Sequence, residues 1–205
     1  MRRFLLAAAV TCIATAPAVA VDAPAVPVAG TYVTDPAHTS VTWRVMHLGL
    51  SNYTARLTKI ASTLQLDPAH PAASKLDVTI QANSVRTDFP FPDKTDFDKE
   101  IGGDERFLSG DKFPEIKFVS TRIVTTGPKT AKITGNLTLR GVTKPVTLDA
   151  KFNGATPANR VMGQPRVGFS ATGAINRSDF GMTFGTQFLG DRVELAIEAE
   201  YTLVP

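Results

Sequence analysis

The side chains best suited to chemistry in this chain are two histidines nine positions apart, His38 and His47, and an arginine, Arg177, two residues before Asp179. Imidazole donates or accepts a hydrogen bond near neutral pH, and a planar guanidinium clamps a carbonyl or phosphate oxygen. Such groups can recognise the polar head of a ligand. The competing reading is that each histidine ties its ring to a nearby backbone carbonyl and that Arg177 locks a corner by pairing with Asp179. In a regular strand an odd separation puts His38 and His47 on opposite faces, so they share one ligand only through a bend or bulge. Neighbouring Asp35 and Arg44 can orient them.

Other catalytic and metal chemistry is disfavoured. There is no G-x-S-x-G turn and no glycine-rich phosphate loop, so nucleophilic hydrolysis lacks its usual framework and no catalytic residue is assigned. His70 precedes Pro71 in a polar loop, and the acidic run Asp93 to Glu100 lacks the central glycine and terminal glutamate of a calcium loop; no metal site is assigned.

The elements that must position these groups read as strands. From Asp35-Pro36 onward, Val41, Trp43 and Val45 fall on one face and Thr42, Arg44 and Met46 on the other, the period of a half-buried strand. The same alternation recurs around Ile80, around Phe118, through Leu137 and Leu139, and at Leu148. It returns at Phe169 to Ile175 and at Leu195 and Ile197. With Tyr32 to Met46 and Tyr53 to Leu66 read as single strands, this predicts an all-β fold, an antiparallel barrel of about eight strands. The stretch from Ser84 to Pro114 breaks the rhythm; it is charged and predicts a helix near residues 93–102, stopped by Gly102-Gly103, then a turn near 104–109.

Closing such strands turns one apolar face of each inward, around a side-chain core or around one small ligand. The inward set mixes bulky residues (Trp43, Phe118, Phe169, Leu195) with small ones (Gly135, Ala171, Gly173, Ala199), which can leave volume that the helix and phenylalanines fill or that a ligand fills. Phe180, Met182, Phe184 and Phe188 follow in a glycine-bearing loop, suited to a gate or a plug.

Five motifs carry a resemblance. Asp35 to Ser51, reading D-P-A-H-T-S-V-T-W-R-V-M-H-L-G-L-S, resembles the opening strand of the YceI-like family. Phe107 to Thr121, Gly135 to Leu148, Asn176 to Met182 and Gly190 to Ala199 are similar to its later elements in the same order. The resemblance implies a lipocalin-like barrel that binds a long isoprenoid, a polyprenyl quinone or polyprenyl phosphate, without covalent attachment and without another cofactor. On that basis Trp43, Val45, Ile80, Phe118, Leu137 and Leu139 are expected to hold the tail. Leu148, Phe169, Ile175, Phe180, Phe184, Leu195 and Ile197 are expected to complete the tunnel, with His38, His47 and Arg177 at the head. Two other functions stay open: a stress-related partner-binding protein with a filled barrel, and a His-dependent enzyme working at the barrel mouth.

The N-terminus, Met1-Arg2-Arg3 followed by an apolar run and Ala18-Val19-Ala20, reads as a signal peptide over residues 1–20, cut after Ala20; the expected location is the periplasm. Cys12 lies inside the apolar run after Thr11, a poor setting for a lipid anchor. Residues 21–30 read as a flexible lead-in and residues 31–205 as the barrel domain. Without the leader, 20 basic residues face 19 acidic ones and the only cysteine is gone. That balance argues against nucleic acid and excludes a disulfide. A quinone carrier would contact a membrane or a membrane cytochrome transiently, and exposed edge strands would let two copies pair.

Overall fold

The computed structural model describes residues 25–159 and 163–205; the expected signal peptide lies outside them. Eleven strands follow in order: β1 (Gly30–Thr34), β2 (Ser40–His47), β3 (Ser51–Leu57), β4 (Ile60–Leu66), β5 (Lys75–Gln81), β6 (Val85–Arg86), β7 (Glu115–Gly127), β8 (Thr130–Leu139), β9 (Val142–Thr156), β10 (Arg166–Asn176) and β11 (Leu189–Leu203). One helix, α1 (Phe97–Gly103), lies between β6 and β7, and no helix among the described residues is long and apolar enough to cross a membrane.

Every pairing is antiparallel, in the order β1-β4-β5-β7-β8-β9-β10-β11-β2-β3-β6, and the sheet closes where β11 meets both β1 and β2. Three pairs, β1 with β2, β3 with β4 and β5 with β6, are halves of longer bent strands. The result is a closed eight-stranded antiparallel barrel with one short helical insert, as the alternation predicts.

The bends differ from the uninterrupted strands expected over Tyr32–Met46 and Tyr53–Leu66, and their cause is local. Asp35 starts a turn by accepting from Ala37 N at 2.9 Å, and Pro36 has no N–H to give a ladder. Strand pairing resumes at Ser40 with the inward phase switched, so Tyr32 and Thr34 face in before the bend and Val41, Trp43 and Val45 after it. A second switch at Thr58-Lys59 takes the inward set from Ala55 and Leu57 to Ile60, Ser62 and Leu64. Thr58 N is held there by Ser84 O at 3.2 Å.

Helix α1 starts four residues after the expected position. Asp96 caps it, accepting from Lys99 N at 3.0 Å, while the prolines at 90 and 92 keep the preceding segment extended. The insert is strapped to the barrel by Asp98, whose carboxylate accepts from Thr87 N (2.7 Å) and Thr87 Oγ1 (2.6 Å). Arg140, in the β8–β9 turn, donates to the Glu105 and Phe107 carbonyls.

Two apolar clusters fill the interior. The larger surrounds Val41, Leu57, Ile80, Phe118, Leu137 and Leu148. The smaller, around Tyr32, Leu64, Val167, Ala199 and Tyr201, closes the end of the barrel opposite α1.

Candidate functional site

Because inward residues recur at period two along each strand, their side chains form one continuous apolar wall. Among the described residues that wall encloses a cavity of about 620 Å³. Its β11 wall runs from Leu189 through Val193, Leu195, Ile197 and Ala199 to Tyr201, and its β2 wall through Val41, Trp43 and Val45 to His47. The insert supplies the cap, Phe97, Ile101, Phe107 and Leu108, with Met182 from the β10–β11 loop. Aromatic contacts tie cap to wall: Trp43 to Tyr53 at 6.2 Å and Tyr53 edge-on to Phe97 at 5.9 Å.

Eleven of the thirteen expected tail residues stand on this wall: Trp43, Val45, Ile80, Phe118, Leu137, Leu139, Leu148, Phe169, Ile175, Leu195 and Ile197. Phe180 and Phe184 do not. Residues Arg177–Phe180 form a 3-10 turn that breaks the strand period and sends Phe180 into the packed core, 2% exposed. Phe184 faces outward, 47% exposed, edge-on to Phe107 at 5.7 Å with the Arg106 guanidinium over its ring.

The three expected head-binding residues are not brought together. His47 lies at the mouth, on the cavity wall and exposed to solvent. His38 is outside the barrel, in the turn before β2, where strand alternation does not reach it. Its Nδ1 lies 3.0 Å from Asp35 Oδ2 and 3.9 Å from Glu200 Oε2. The hydrogen bond to Asp35 raises the His38 pKa and lowers that of Asp35. Asp35, His38 and Glu200 offer ligand atoms within 4.8 Å of one another, but Arg166 Nη1 already approaches Asp35 Oδ2 to 2.6 Å, so a cation of the protein's own occupies the cluster.

Arg177 is on the wall and buried, 6% exposed, and it locks the corner through backbone carbonyls and not through Asp179. Its Nε donates to Gly190 O at 2.9 Å, Nη1 to Met182 O at 3.0 Å and Phe184 O at 2.7 Å, and Nη2 to Leu189 O at 3.2 Å. Burial lowers its pKa and Asp191 counters that. Asp191, not Asp179, is the acidic neighbour, and its carboxylate accepts from Ser178 N and Oγ at 2.9 and 2.8 Å. The guanidinium thus holds the β10–β11 loop in shape.

At the deep end the sequence reading overlooks a polar pair. Ser62 Oγ and Tyr201 OH are 3.0 Å apart, both on the wall and 8% and 5% exposed. Tyr201 falls on an alternating run, whereas the phase switch at Thr58-Lys59 hides the inward position of Ser62.

Comparison with known proteins places this architecture. The model of the YceI-like domain matches residues 32–201. A UPF0312 protein of Pseudomonas putida (strain W619) is 41% identical over 145 residues, 71% of each chain. The solved structure of the Campylobacter jejuni YCEI protein, 31% identical, superposes with a TM-score of 0.66 over 78% of this chain and 90% of that one. A polyisoprenoid-binding domain from Saccharophagus degradans, implicated in plant cell wall breakdown, shares the fold at 11% identity, with a TM-score of 0.59 over 86% of this chain and 99% of that one.

Proposed function

We propose, from the premise that this chain belongs to the YceI-like family, that it binds and carries an isoprenoid lipid inside the barrel and, given the leader expected at residues 1–20, does so in the periplasm. The observation that carries the reading is the cavity: about 620 Å³ enclosed by apolar side chains from strands, insert and loop. At roughly 30 Å³ for a water-sized group, that volume takes on the order of twenty carbons. Each buried methylene contributes about 0.8 kcal/mol, so an unbranched or prenyl chain is retained without any covalent bond. The Saccharophagus degradans domain of the same fold, described as polyisoprenoid-binding, supports the class of ligand.

The head group that fits is uncharged, of quinone type. Among the described residues Arg177 is the only one of fixed positive charge on the wall, and four of its five N–H donors go to backbone carbonyls. Between residues 87 and 114, beside the mouth, eight carboxylates face four cations, a net of −4. A phosphate there would meet net repulsion. Native mass spectrometry of detergent-free protein, offered a polyprenyl benzoquinone and a polyprenyl phosphate of equal chain length, tests this. A one-to-one quinone adduct that outcompetes the phosphate is expected; a protein that takes up neither, or prefers the phosphate, refutes the reading.

A further inference from the structure

The wall of the cavity is apolar except at a few places, and the deep end is the least expected of them. Ser62 Oγ and Tyr201 OH hold two hydroxyl protons between them. One lies in their mutual bond at 3.0 Å, whichever group donates. The other has no acceptor among the described residues, since neither oxygen makes a further hydrogen bond to the protein. The nearby Thr39 Oγ1 exchanges only with the backbone of Glu200, at 3.4 and 3.3 Å. A buried O–H without an acceptor is costly, and both side chains are more than nine-tenths buried on the cavity wall.

The wall toward the pair carries small side chains. Ala150 and Ala171 stand opposite each other across β9 and β10, and Ala199 stands opposite Phe169 across β10 and β11; all four line the cavity. Nearer the mouth the wall carries the bulkier Trp43, Tyr53, Phe97 and Phe107. Phe169 and Tyr201 meet edge to face at 6.2 Å, flanking the chamber with aromatic surface. Small residues deep inside and large ones near the mouth suit a ligand that is broad at its inner end and slender outward.

We propose that the ligand lies head inward: a ring carbonyl of a neutral, quinone-like head accepts the free proton of the Ser62–Tyr201 pair at the deep end, and the isoprenoid tail runs out past Trp43 toward His47. This rests on the reading of the protein as an isoprenoid carrier. Of the rival seats nearer the mouth, Arg177 gives four of its five N–H donors to the loop backbone, a bond to exposed His47 merely replaces one to water, and the Tyr53 hydroxyl, buried without a partner against the cap, is the donor the test must separate from the deep pair.

The test compares two probes with four isoprene units each, a prenylated benzoquinone and the same tail as a hydrocarbon without oxygen. Dissociation constants come from native mass spectrometry, and quenching of Trp43, the single tryptophan, is a second readout for the quinone. Tyr201→Phe or Ser62→Ala alone leaves one hydroxyl whose proton still reaches the carbonyl, so the quinone preference should persist in each; removing both should weaken the quinone about threefold to tenfold, the loss of one neutral hydrogen bond, and leave the hydrocarbon within about twofold. The double variant should bind both probes alike, and His47→Ala should leave the quinone preference intact. A preference that survives the double variant overturns the proposal, as does its loss in His47→Ala or in Tyr53→Phe, whose hydroxyl is the other buried donor on the wall. If the wild-type protein binds neither probe, the carrier reading itself falls.

Discussion

Replacing Arg177 separates a fold role from a ligand role. The guanidinium donates four charge-assisted hydrogen bonds to the carbonyls of Met182, Phe184, Leu189 and Gly190, each worth about 1.5–3 kcal/mol against an unmade bond. Two terms reduce the sum. The loop carbonyls nearest the surface regain water in Arg177→Ala, and the several kcal/mol spent on desolvating a buried cation are recovered. The expected net loss is about 3–5 kcal/mol, the range for removing one member of a buried charged network. For a chain of this length, that lowers the melting midpoint by roughly 6–20 °C. Arg177→Lys should recover less than half of the loss, because an ammonium presents three donors from one point and cannot span four carbonyls.

Urea unfolding of the three proteins gives the magnitudes, and amide exchange locates the damage. The amides of Gly181, Met182 and Leu189, bonded within the loop to Ser178 O, Arg177 O and Gly185 O, should lose protection before those of β8. Arg177→Ala within about 1 kcal/mol of wild type would falsify the latch assignment. Full rescue by lysine would do the same, since it would make charge, and not the forked donor geometry, the source of stability.

Two further perturbations test the barrel. A Cβ on Gly135 would lie 2.6 Å from the Val119 carbonyl and against the Phe118 ring, so Gly135→Ala should cost about 1–3 kcal/mol in urea unfolding. Gly154→Ala, with nothing within 4 Å, should change little; equal effects refute the assigned contact. At the outer cluster, the His38 pKa is raised from 6.5, so its contribution is complete below about pH 6.5 and fades as pH rises through the raised value. The Asp35 pKa is lowered from 3.8, so its contribution is present above about pH 3.8 and fades as pH falls through the lowered value. His38→Ala should therefore flatten the change in unfolding midpoint between pH 6 and pH 8; an unaltered slope dismisses the pair.

The barrel and most of its cavity wall are legible in the sequence because side-chain alternation is a local property. Val41, Trp43 and Val45 need no knowledge of the rest of the chain to declare one face, and eleven wall residues follow from such runs. What is not legible depends on phase. Five residues at the Asp35 turn and two at Thr58-Lys59 switch the inward register, and the second switch places Ser62 where no uninterrupted alternation would. Phe180 and Phe184 look like wall residues by type, but the 3-10 turn at Arg177 rotates one into the core and the other to solvent. The Ser62–Tyr201 contact spans 139 positions and exists only once the barrel has closed.

A hydrocarbon wall discriminates poorly among long apolar chains, since the hydrophobic effect is non-directional and scales with area. Selectivity in such a protein must come from the few polar atoms that can see the ligand, and their types mislead. The arginine, the strongest candidate by charge, spends four of its five donors on loop carbonyls. The exposed histidine at the mouth competes with water. A serine and a tyrosine, unremarkable in sequence, are shielded from water and keep one proton unaccepted in a site with room for a ring. In a dry cavity a single available hydroxyl discriminates more than an exposed imidazole, because the alternative to bonding the ligand is an unmade bond and not a hydrated one.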